Sequence, residues 1–223
     1  MGGRIVIFAG GRLGGWALNE LRDGDIAVGA DRGALFLIRH GIRPHIAFGD
    51  FDSVTEPEKL RICQESGQTV ECDPVMKDLT DTEMALNWAL DQKPAEIVIC
   101  GALGSRFDHS LANAQLLVRT EEAGIPSVIV DAFNRLSAIV PGTVKTLRRS
   151  RFSYISLLPL TPKVVGVTLE GFKYPLNGAE LRMGYTLAVS NELNGDEGTV
   201  RIEDGALLIV ESADERPGEG DRA

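Results

Sequence analysis

The chain has 223 residues, which is enough for one large or two small domains with a sizeable core. Its hydrophobic content of 43% and charged content of 25% are ordinary for a soluble globular protein. The net charge of -9 argues against general binding to nucleic acid or to an anionic membrane, because such binding uses a basic surface.

The sequence shows no sign of membrane insertion or export. No apolar run approaches the ~20 residues that span a bilayer. The start, MGGRIVIFAGG, lacks the apolar region and small-residue cleavage site of a signal peptide. Cys63, Cys72 and Cys100 are too few and too scattered for a disulfide framework or a zinc site. We interpret them as small buried thiols in a reducing compartment and predict a cytoplasmic protein.

The first part of the chain alternates strand-like and helix-like segments. The strand-like segments are RIVIFAGG, IAVGAD, HIAFGDFDS, QTVECD, EIVICGALG and PSVIVD. Helical patterns between them are GALFLIRHG, PEKLRICQESG, DTEMALNWALDQ and SLANAQLLVRTEEAG. Near-continuous apolar strands are typical of a mostly parallel sheet that helices cover on both faces. We therefore predict a three-layer α/β domain over residues 1–135.

The pattern changes after about residue 135 to short β-rich segments separated by Gly, Pro and Asn. These segments are LSAIVPGT, FSYISLLPL, VVGVTLEGF, TLAVSNEL, GTVRIEDG and ALLIVES. They predict an all-β sandwich or barrel-like unit over residues 136–212. The polar tail at 213–223 contains Pro and Gly and is predicted to be disordered.

The first candidate site is GDFDSV, where Asp50 and Asp52 end a predicted strand. Ligands of open α/β sheets bind beyond the carboxyl ends of the strands, and Asp31 ends the preceding strand at the same edge. In an extended segment Asp50 and Asp52 point to one side and Phe51 to the other. Two carboxylates on one side suit Mg²⁺, which binds a few carboxylates with water and substrate phosphates. The alternative is a polar surface turn, and this stretch alone leaves both interpretations open.

The stretch KDLTDTE combines a helix start with further charge. Thr80 and Glu83 fit a capping box, which explains those two residues. Lys77 and the helix N-terminus can hold a phosphate, and Asp81 can complete a metal site. The cap is the favoured interpretation of this segment by itself, and the two roles are compatible.

The stretch GALGSRFDHSLAN follows a predicted strand and opens a helix. Gly101 and Gly104 permit close backbone approach to a ligand, and Arg106 can grip phosphate oxygens in a fork. Asp108 or Ser110 can cap the helix. The earlier glycine-rich AGGRLGG also follows a strand but is a weak signal alone. Carboxylates, a lysine and an arginine at one predicted sheet edge suit transfer chemistry on a magnesium nucleotide.

Four blocks taken in order resemble the thiamine pyrophosphokinase family in its bacterial form: GADRGALFLIRHGIRPHIAFGDFDSV, KDLTDTEMAL, GALGSRFDHSLAN and VSNEL. The resemblance runs to about residue 212. It implies an N-terminal α/β domain, a C-terminal β-sandwich and a homodimer with active sites at the subunit interface. The implied reaction moves the β,γ-pyrophosphoryl group of ATP to the hydroxyl of thiamine, releases AMP and needs Mg²⁺.

The resemblance also implies a metal and nucleotide site. The implied metal-binding residues are Asp50, Asp52 and Asp81, with Asp31 as an acidic position near them. Nucleotide contact is implied for the segment that holds Lys77 and Thr80.

Contacts to phosphate and substrate are implied for Arg106 and Asp108. Ser190 and Asn191 match the thiamine-pocket segment, although without the resemblance they would simply end a strand. Arg32 departs from the many members, notably eukaryotic ones, that have glycine after the aspartate, and we interpret it as a bacterial variant.

Two other functions fit part of the pattern. A magnesium-dependent phosphohydrolase on a similar sheet would need no acceptor. A non-enzymatic nucleotide-binding module would have no use for a third carboxylate at Asp81 or for the pair Arg106 and Asp108. Turnover with and without thiamine separates these alternatives.

Overall fold

The structure is a computed structural model that describes residues 2–71 and 78–215. The described chain forms two compact units: residues 2–116 with 125–132, and residues 117–124 with 133–215. The predicted tail at 213–223 lies mostly outside the described residues, which end at Glu215. None of the described helices is long and apolar enough to cross a membrane.

The first unit contains a parallel sheet. Its strands are β1 (Gly2–Phe8), β2 (Ile26–Ala30), β3 (Ile46–Gly49), β4 (Gln68–Glu71), β5 (Pro94–Cys100) and β6 (Ser127–Val130). They pair in the order β4-β3-β2-β1-β5-β6, and every pairing is parallel. The helices among the described residues are α1 (Gly15–Leu18), α2 (Arg32–Arg39), α3 (Glu56–Glu65), α4 (Asp81–Asp91) and α5 (Phe107–Glu122).

Successive side chains of each strand point to opposite faces of this sheet, and helices bury the side chains on both faces. On one face Val6 and Phe8 of β1 join a buried cluster with Leu37 of α2. On the other face Phe48 of β3 packs against Trp88 of α4, with ring centroids 6.2 Å apart. The predicted three-layer α/β arrangement is confirmed.

Gly33 explains how closely α2 approaches β1. A Cβ at this position would lie 1.7 Å from the carbonyl oxygen of Phe8. Only glycine therefore lets the helix begin directly against the strand. This contact fixes the start of α2 at the carboxyl edge of the sheet.

Apart from the end of α5, the described part of the second unit is built from β-strands. Its strands are β7 (Asn134–Ile139), β8 (Val144–Arg148), β9 (Tyr154–Pro159), β10 (Lys163–Glu170), β11 (Leu176–Arg182), β12 (Glu197–Arg201) and β13 (Leu207–Ser212). They form two antiparallel arrays, β7-β13-β9 and β11-β10-β12-β8. Leu157 and Ile209 from the first array share one buried cluster with Val167 and Val200 from the second. Two sheets that enclose a common core make the predicted β-sandwich.

Candidate active site

A cleft of about 660 Å³ opens in the first unit where several of its strands end. The loops after β1, β2, β3 and β5 and the start of α4 contribute to its wall. This is the edge at which open α/β sheets bind ligands. The lining includes Gly10, Gly11, Asp31, Arg32, Ser53, Asp78, Thr80, Asp81, Gly101, Gly104, Arg106, His109 and Asn113.

Backbone hydrogen bonds join the loops after β1 and β5 along one wall of the cleft. The amide of Gly11 donates to the carbonyl of Gly101 over 2.8 Å, and the amide of Arg12 donates to that of Leu103 over 3.2 Å. A Cβ on Gly11 would lie 2.3 Å from the Gly101 oxygen, so only glycine permits this contact. In the sequence AGGRLGG alone is a weak signal, and its position directly after the first predicted strand is the feature that points to this edge.

Asp31 and Ser53 tie the loop after β2 to the loop after β3. The Ser53 hydroxyl lies 2.6 Å from each oxygen of the Asp31 carboxylate and donates to it. Arg32 adds a second link, because its Nε donates to the Ser53 carbonyl over 3.2 Å. Asp31 has a φ of 50°, an uncommon value for a residue other than glycine. The carboxylate is thus held at the cleft by its neighbours rather than left free to rotate.

The prediction that Asp50 and Asp52 lie in an extended segment is wrong, because β3 ends at Gly49 and the chain turns at once. Phe51 has a φ of 56° and is buried in a cluster that includes Ile62. Asp50 is half-buried, and its Oδ1 accepts a 3.2 Å hydrogen bond from the amide of Asp52. The turn still separates Phe51 in the core from the exposed Asp52. The chain turns here because Phe51 is buried in the core.

The three predicted metal-binding aspartates do not form a preassembled cluster. Within residues 2–71 and 78–215 no group of three or more His, Cys, Asp and Glu side chains could hold a metal ion. Of the three, Asp81 lines the cleft, while Asp50 and Asp52 lie on the loop that Ser53 links to it. Mg²⁺ commonly takes one or two carboxylates and completes its shell with water and substrate phosphates. The carboxylates at this edge therefore fit a magnesium ion that arrives with a nucleotide.

The start of α4 forms another part of the cleft wall. The predicted cap at Thr80 is confirmed, since its hydroxyl accepts a 3.2 Å hydrogen bond from the amide of Glu83. Asp81 is the first helical residue. The free amides and dipole of a helix N-terminus favour bound phosphate. Lys77, the predicted phosphate ligand of this segment, lies outside the described residues.

Helix α5 begins earlier than the sequence predicts, at Phe107. Asp108 and Ser110 therefore lie in its first turn instead of preceding it. Ser110 nevertheless holds the loop, because its hydroxyl accepts from the amide of Gly104 and donates to the carbonyl of Arg106, each over 3.1 Å.

Arg106 and Asp108 contact each other at the cleft edge. Arg106 Nη2 lies 2.6 Å from Asp108 Oδ2, and the two side chains are 70% and 64% exposed. The hydrogen bond from Arg106 lowers the pKa of the Asp108 carboxyl, which is therefore ionised at neutral pH. An exposed ion pair is weak, so an anionic ligand can take over part of the guanidinium fork.

Asn113 is a residue of this wall that sequence reasoning missed. It is buried, and its Nδ2 donates a 2.8 Å hydrogen bond to the carbonyl of Ala102 in the loop after β5. Its contact reaches 11 residues back along the chain. The only available signal was a polar residue in an otherwise apolar stretch of the helix.

Ser190 and Asn191 lie in the second unit. Ser190 is exposed, with a φ of 58°, and its amide donates to Ser156 Oγ over 3.0 Å. Asn191 is 5% exposed, and its amide group bonds both the carbonyl and the amide of Tyr174, over 2.8 and 3.2 Å. The Asn191 side chain thus holds its segment to a neighbouring loop, whereas Ser190 presents its side chain to solvent.

Two family models match the chain in the same order as its two units. One is described as thiamin pyrophosphokinase, catalytic domain, and matches residues 18–129. The other is described as thiamin pyrophosphokinase, vitamin B1 binding domain, and matches residues 143–207. Both halves of the chain are therefore similar to parts of one kind of enzyme.

Individual relatives extend the similarity over most of the chain. Thiamine pyrophosphokinase of Bacillus subtilis (strain 168) is 38% identical over 187 residues, covering 84% of this chain and 87% of that protein. Thiamin pyrophosphokinase 1 of Caenorhabditis elegans is 25% identical over 176 residues, covering 75% of this chain and 70% of that protein.

Solved structures show the same fold. The Bacillus subtilis thiamine pyrophosphokinase crystal structure has a TM-score of 0.87 at 36% identity and covers 95% of this chain and 100% of that chain. The crystal structure of thiamin pyrophosphokinase from Geobacillus thermodenitrificans has a TM-score of 0.85 at 35% identity. The match covers 95% of this chain and 98% of that chain.

Proposed function

Because this chain belongs to the thiamine pyrophosphokinase family, we propose that it transfers the β,γ-pyrophosphoryl group of ATP to the hydroxyl of thiamine and releases AMP. The observation that carries this proposal is the cleft of the first unit. Glycine backbone, a helix N-terminus, carboxylates and an arginine meet there at one sheet edge. Those are the groups that hold and neutralise a magnesium nucleotide.

We propose that the triphosphate lies along the two joined loops and the start of α4. Gly101 and Gly104, together with Gly11, have no side chain to keep phosphate oxygens away from the backbone. Thr80 places the first amides of α4 at the cleft by capping the helix. Lys77 supplies a positive charge to the same phosphates in this proposal.

Asp50, Asp52 and Asp81 are the proposed holders of Mg²⁺, with Asp31 as the fixed carboxylate beside them. When bound, the ion neutralises charge on the phosphate oxygens. Ser53 has a positioning role, because its hydroxyl and carbonyl link Asp31 and Arg32 to the loop of Asp50 and Asp52.

The proposed transfer step is an in-line attack of the thiamine hydroxyl on the β-phosphorus of ATP. A new bond forms between the thiamine oxygen and the β-phosphorus, the bond from the β-phosphorus to the α,β-bridging oxygen breaks, that oxygen leaves with AMP, and the hydroxyl proton passes to water. Arg106 stabilises the charge that develops on the transferred group. Asp108 orients the guanidinium and contacts the substrate. When the transition state is loose, catalysis comes mostly from positioning and charge neutralisation, so a strong base is not required.

The acceptor is proposed to bind in the second unit beside Ser190. Its exposed hydroxyl can donate and accept hydrogen bonds, as an aminopyrimidine requires. Asn191 serves the same pocket indirectly, since its buried amide keeps the segment in place against Tyr174.

We further propose a cytoplasmic homodimer with active sites at the subunit interface, where the segment at Ser190 meets the cleft of the partner. The family resemblance carries most of this proposal. The strand edge at β11, the last strand of its array, gives a physical reason for pairing. Light scattering should show an active species of about twice 24.1 kDa, and an active monomer would contradict the proposal.

The direct test is incubation of the protein with ATP, MgCl₂ and thiamine, with products identified by mass. We expect thiamine diphosphate and AMP in equal amounts, and no AMP without thiamine. Phosphate release that ignores thiamine would support the hydrolase alternative. ATP binding without any turnover would support the binding module.

A further inference from the structure

Arg32 carries a positive charge at the wall of the cleft and has no role in the proposed transfer step. It is the first residue of α2 and belongs to the cleft lining. Its Nε donates to the Ser53 carbonyl over 3.2 Å, and this bond tethers the guanidinium at the loop after β3. An arginine has five N–H donors, so the four on the two terminal nitrogens remain for other partners.

The protein leaves the charge of this guanidinium unpaired. Within residues 2–71 and 78–215, Arg32 forms no ion pair with a carboxylate, whereas Arg106 lies 2.6 Å from Asp108. The neighbouring Asp31 carboxylate instead accepts from the Ser53 hydroxyl, with both of its oxygens 2.6 Å from it. A guanidinium bonded only to a neutral carbonyl keeps its full charge for an anionic ligand.

The start of α2 adds to the positive potential around Arg32. The N-terminus of a helix carries a partial positive charge, which acidic side chains and caps ordinarily offset. The first turn of α2, all of it within the described residues, has no acidic residue, and Asp31 at the N-cap makes no side-chain cap hydrogen bond. Placing an arginine there opposes the helix dipole. A bound anion would stabilise both the helix end and the guanidinium.

The loop after β1 brings the start of α2 next to the proposed path of the triphosphate. A Cβ on Gly10 would lie 3.7 Å from the amide nitrogen of Arg32, so this loop runs directly past the helix start. The next residue, Gly11, donates to the Gly101 carbonyl and joins the two loops proposed to hold phosphate. Arg32 therefore stands at the edge of the phosphate path.

The sheet order places the two arginines of the cleft on opposite sides of that loop. Strand β1 pairs with β2 on one side and with β5 on the other. Arg32 follows β2 and Arg106 follows β5, so the loop after β1 lies between the loops that carry them. A polyphosphate that lies on the glycine backbone would have a guanidinium on each side.

We propose that Arg32 is a second phosphate-binding guanidinium of this cleft. Its terminal nitrogens bind phosphate oxygens of the nucleotide while its Nε stays on the Ser53 carbonyl. The inference rests on the proposed function, since it takes a nucleoside triphosphate as the ligand of the cleft, and it adds a contact from the side of the cleft opposite Arg106.

The test measures the affinity of the full chain for ATP by calorimetry in saturating MgCl₂. Arg32→Gln should weaken ATP binding at least about tenfold, since it removes charge-assisted hydrogen bonds to phosphate. Arg32→Lys keeps a charge but not the planar fork, so its affinity should fall between those of wild type and Arg32→Gln. Inorganic triphosphate should lose affinity by the same factor as ATP in each variant.

A second titration separates phosphate binding from a purely structural role. Arg32 also holds the loop of Asp50 and Asp52 through the Ser53 carbonyl. If its removal acted only by loosening that metal loop, a much higher MgCl₂ concentration would restore the affinity for ATP by mass action. We expect no recovery in Arg32→Gln, because the lost contact is to the phosphates themselves.

Arg39→Gln is the matched control. It removes the same charge from the last residue of α2, which pairs with Glu58 and lies outside the cleft lining. It should leave the affinities for ATP and for inorganic triphosphate unchanged, which excludes an effect of net charge alone. Melting temperatures show whether each variant remains folded, and Arg32→Lys carries the test if Arg32→Gln does not.

The outcomes distinguish this inference from the proposed function. If wild type makes thiamine diphosphate but Arg32→Gln binds ATP as tightly, or regains full affinity at high MgCl₂, the inference is overturned and the proposed function stands. A loss for ATP that inorganic triphosphate does not share would place Arg32 against the nucleoside and also overturn it. If the expected losses occur but wild type never converts thiamine, the inference is supported and the proposed function fails.

Discussion

The concave surfaces of the two units differ in the chemical groups that line them. The cleft of the first unit is lined by backbone groups and charged side chains: two glycine loops joined by hydrogen bonds, a helix N-terminus and several carboxylates. The second unit has a cavity of about 440 Å³ whose lining is mostly apolar and includes Leu157, Pro159 and Leu187. Phosphate is bound by amides and charges, whereas a ring needs apolar area. The difference is consistent with the proposed function, in which the first unit holds the nucleotide and the second holds the acceptor.

The largest expected effect comes from the carboxylates of the first unit. Asp81→Asn should lower kcat/KM at least about a hundredfold, because it removes charge stabilisation at the transferred phosphates. Asp50→Asn and Asp52→Asn should do the same. Steady-state kinetics measure the loss, and melting temperatures should stay near wild type.

Asp91→Asn is the matched control, because it changes the last residue of the same helix away from the cleft lining. Full activity in all three cleft variants would remove the basis for placing the metal here.

The next effect tests whether the joined glycine loops of the cleft bind the nucleotide through their backbone. Gly11→Ala should raise the KM for ATP about tenfold or more, since its Cβ would collide with the Gly101 carbonyl and force the two loops apart. Thiamine binding by calorimetry should be unchanged. Gly15→Ala is the control, because a Cβ there meets no atom within 4 Å. An unchanged KM for ATP in Gly11→Ala would show that the joined loops do not hold the nucleotide.

A smaller effect is expected in the second unit. Ser190→Ala should raise the KM for thiamine about fivefold, the equivalent of one hydrogen bond, and leave the KM for ATP nearly unchanged. Asn191→Ala should raise it too, but with a lower melting temperature, because it removes two partly buried hydrogen bonds to Tyr174. Equal losses for both substrates in Ser190→Ala would place the defect in folding or assembly.

The smallest effect concerns a buried charge of the sandwich. Burial raises the pKa of Glu211, whose carboxylate lies 3.7 Å from Arg135 Nε. The folded protein then holds this proton more tightly than the unfolded chain does, so stability falls as pH rises above the ordinary value of 4.5 and through the raised pKa. Glu211→Gln should raise the melting temperature at pH 7.

That gain should shrink as the pH falls toward 4.5. Glu197→Gln, at an exposed carboxylate near Arg148, is the control and should show no such trend. A pH-independent difference between Glu211→Gln and wild type would contradict the assigned cause.

Much of the fold was predictable because its signals are local. Apolar runs that end in glycine or aspartate marked the parallel strands, and Thr80 with Glu83 marked the start of α4. The end of β3 was not predictable in this way. Phe51 packs in the core against α2 and α3, and that burial turns the chain between Asp50 and Asp52. The motif was recognised, while its local conformation depended on distant packing.

The site was less predictable than the fold for the same reason. Ser53 is fixed by Asp31, 22 residues earlier, and Asn191 is fixed by Tyr174, 17 residues earlier. No periodicity or spacing rule pairs such residues. The sequence identified chemically suitable side chains, but the structure was needed to separate those that face a ligand from those that hold a loop.

The central claim is that an intact pyrophosphoryl group passes from ATP to thiamine, and ATP labelled at its γ-phosphorus tests this most directly. With Mg²⁺ and thiamine present, the label should appear in thiamine diphosphate, with unlabelled AMP in equal amount. Asp81→Asn should show neither product at a comparable rate. Label in free orthophosphate, or in thiamine monophosphate together with ADP, would contradict the claim.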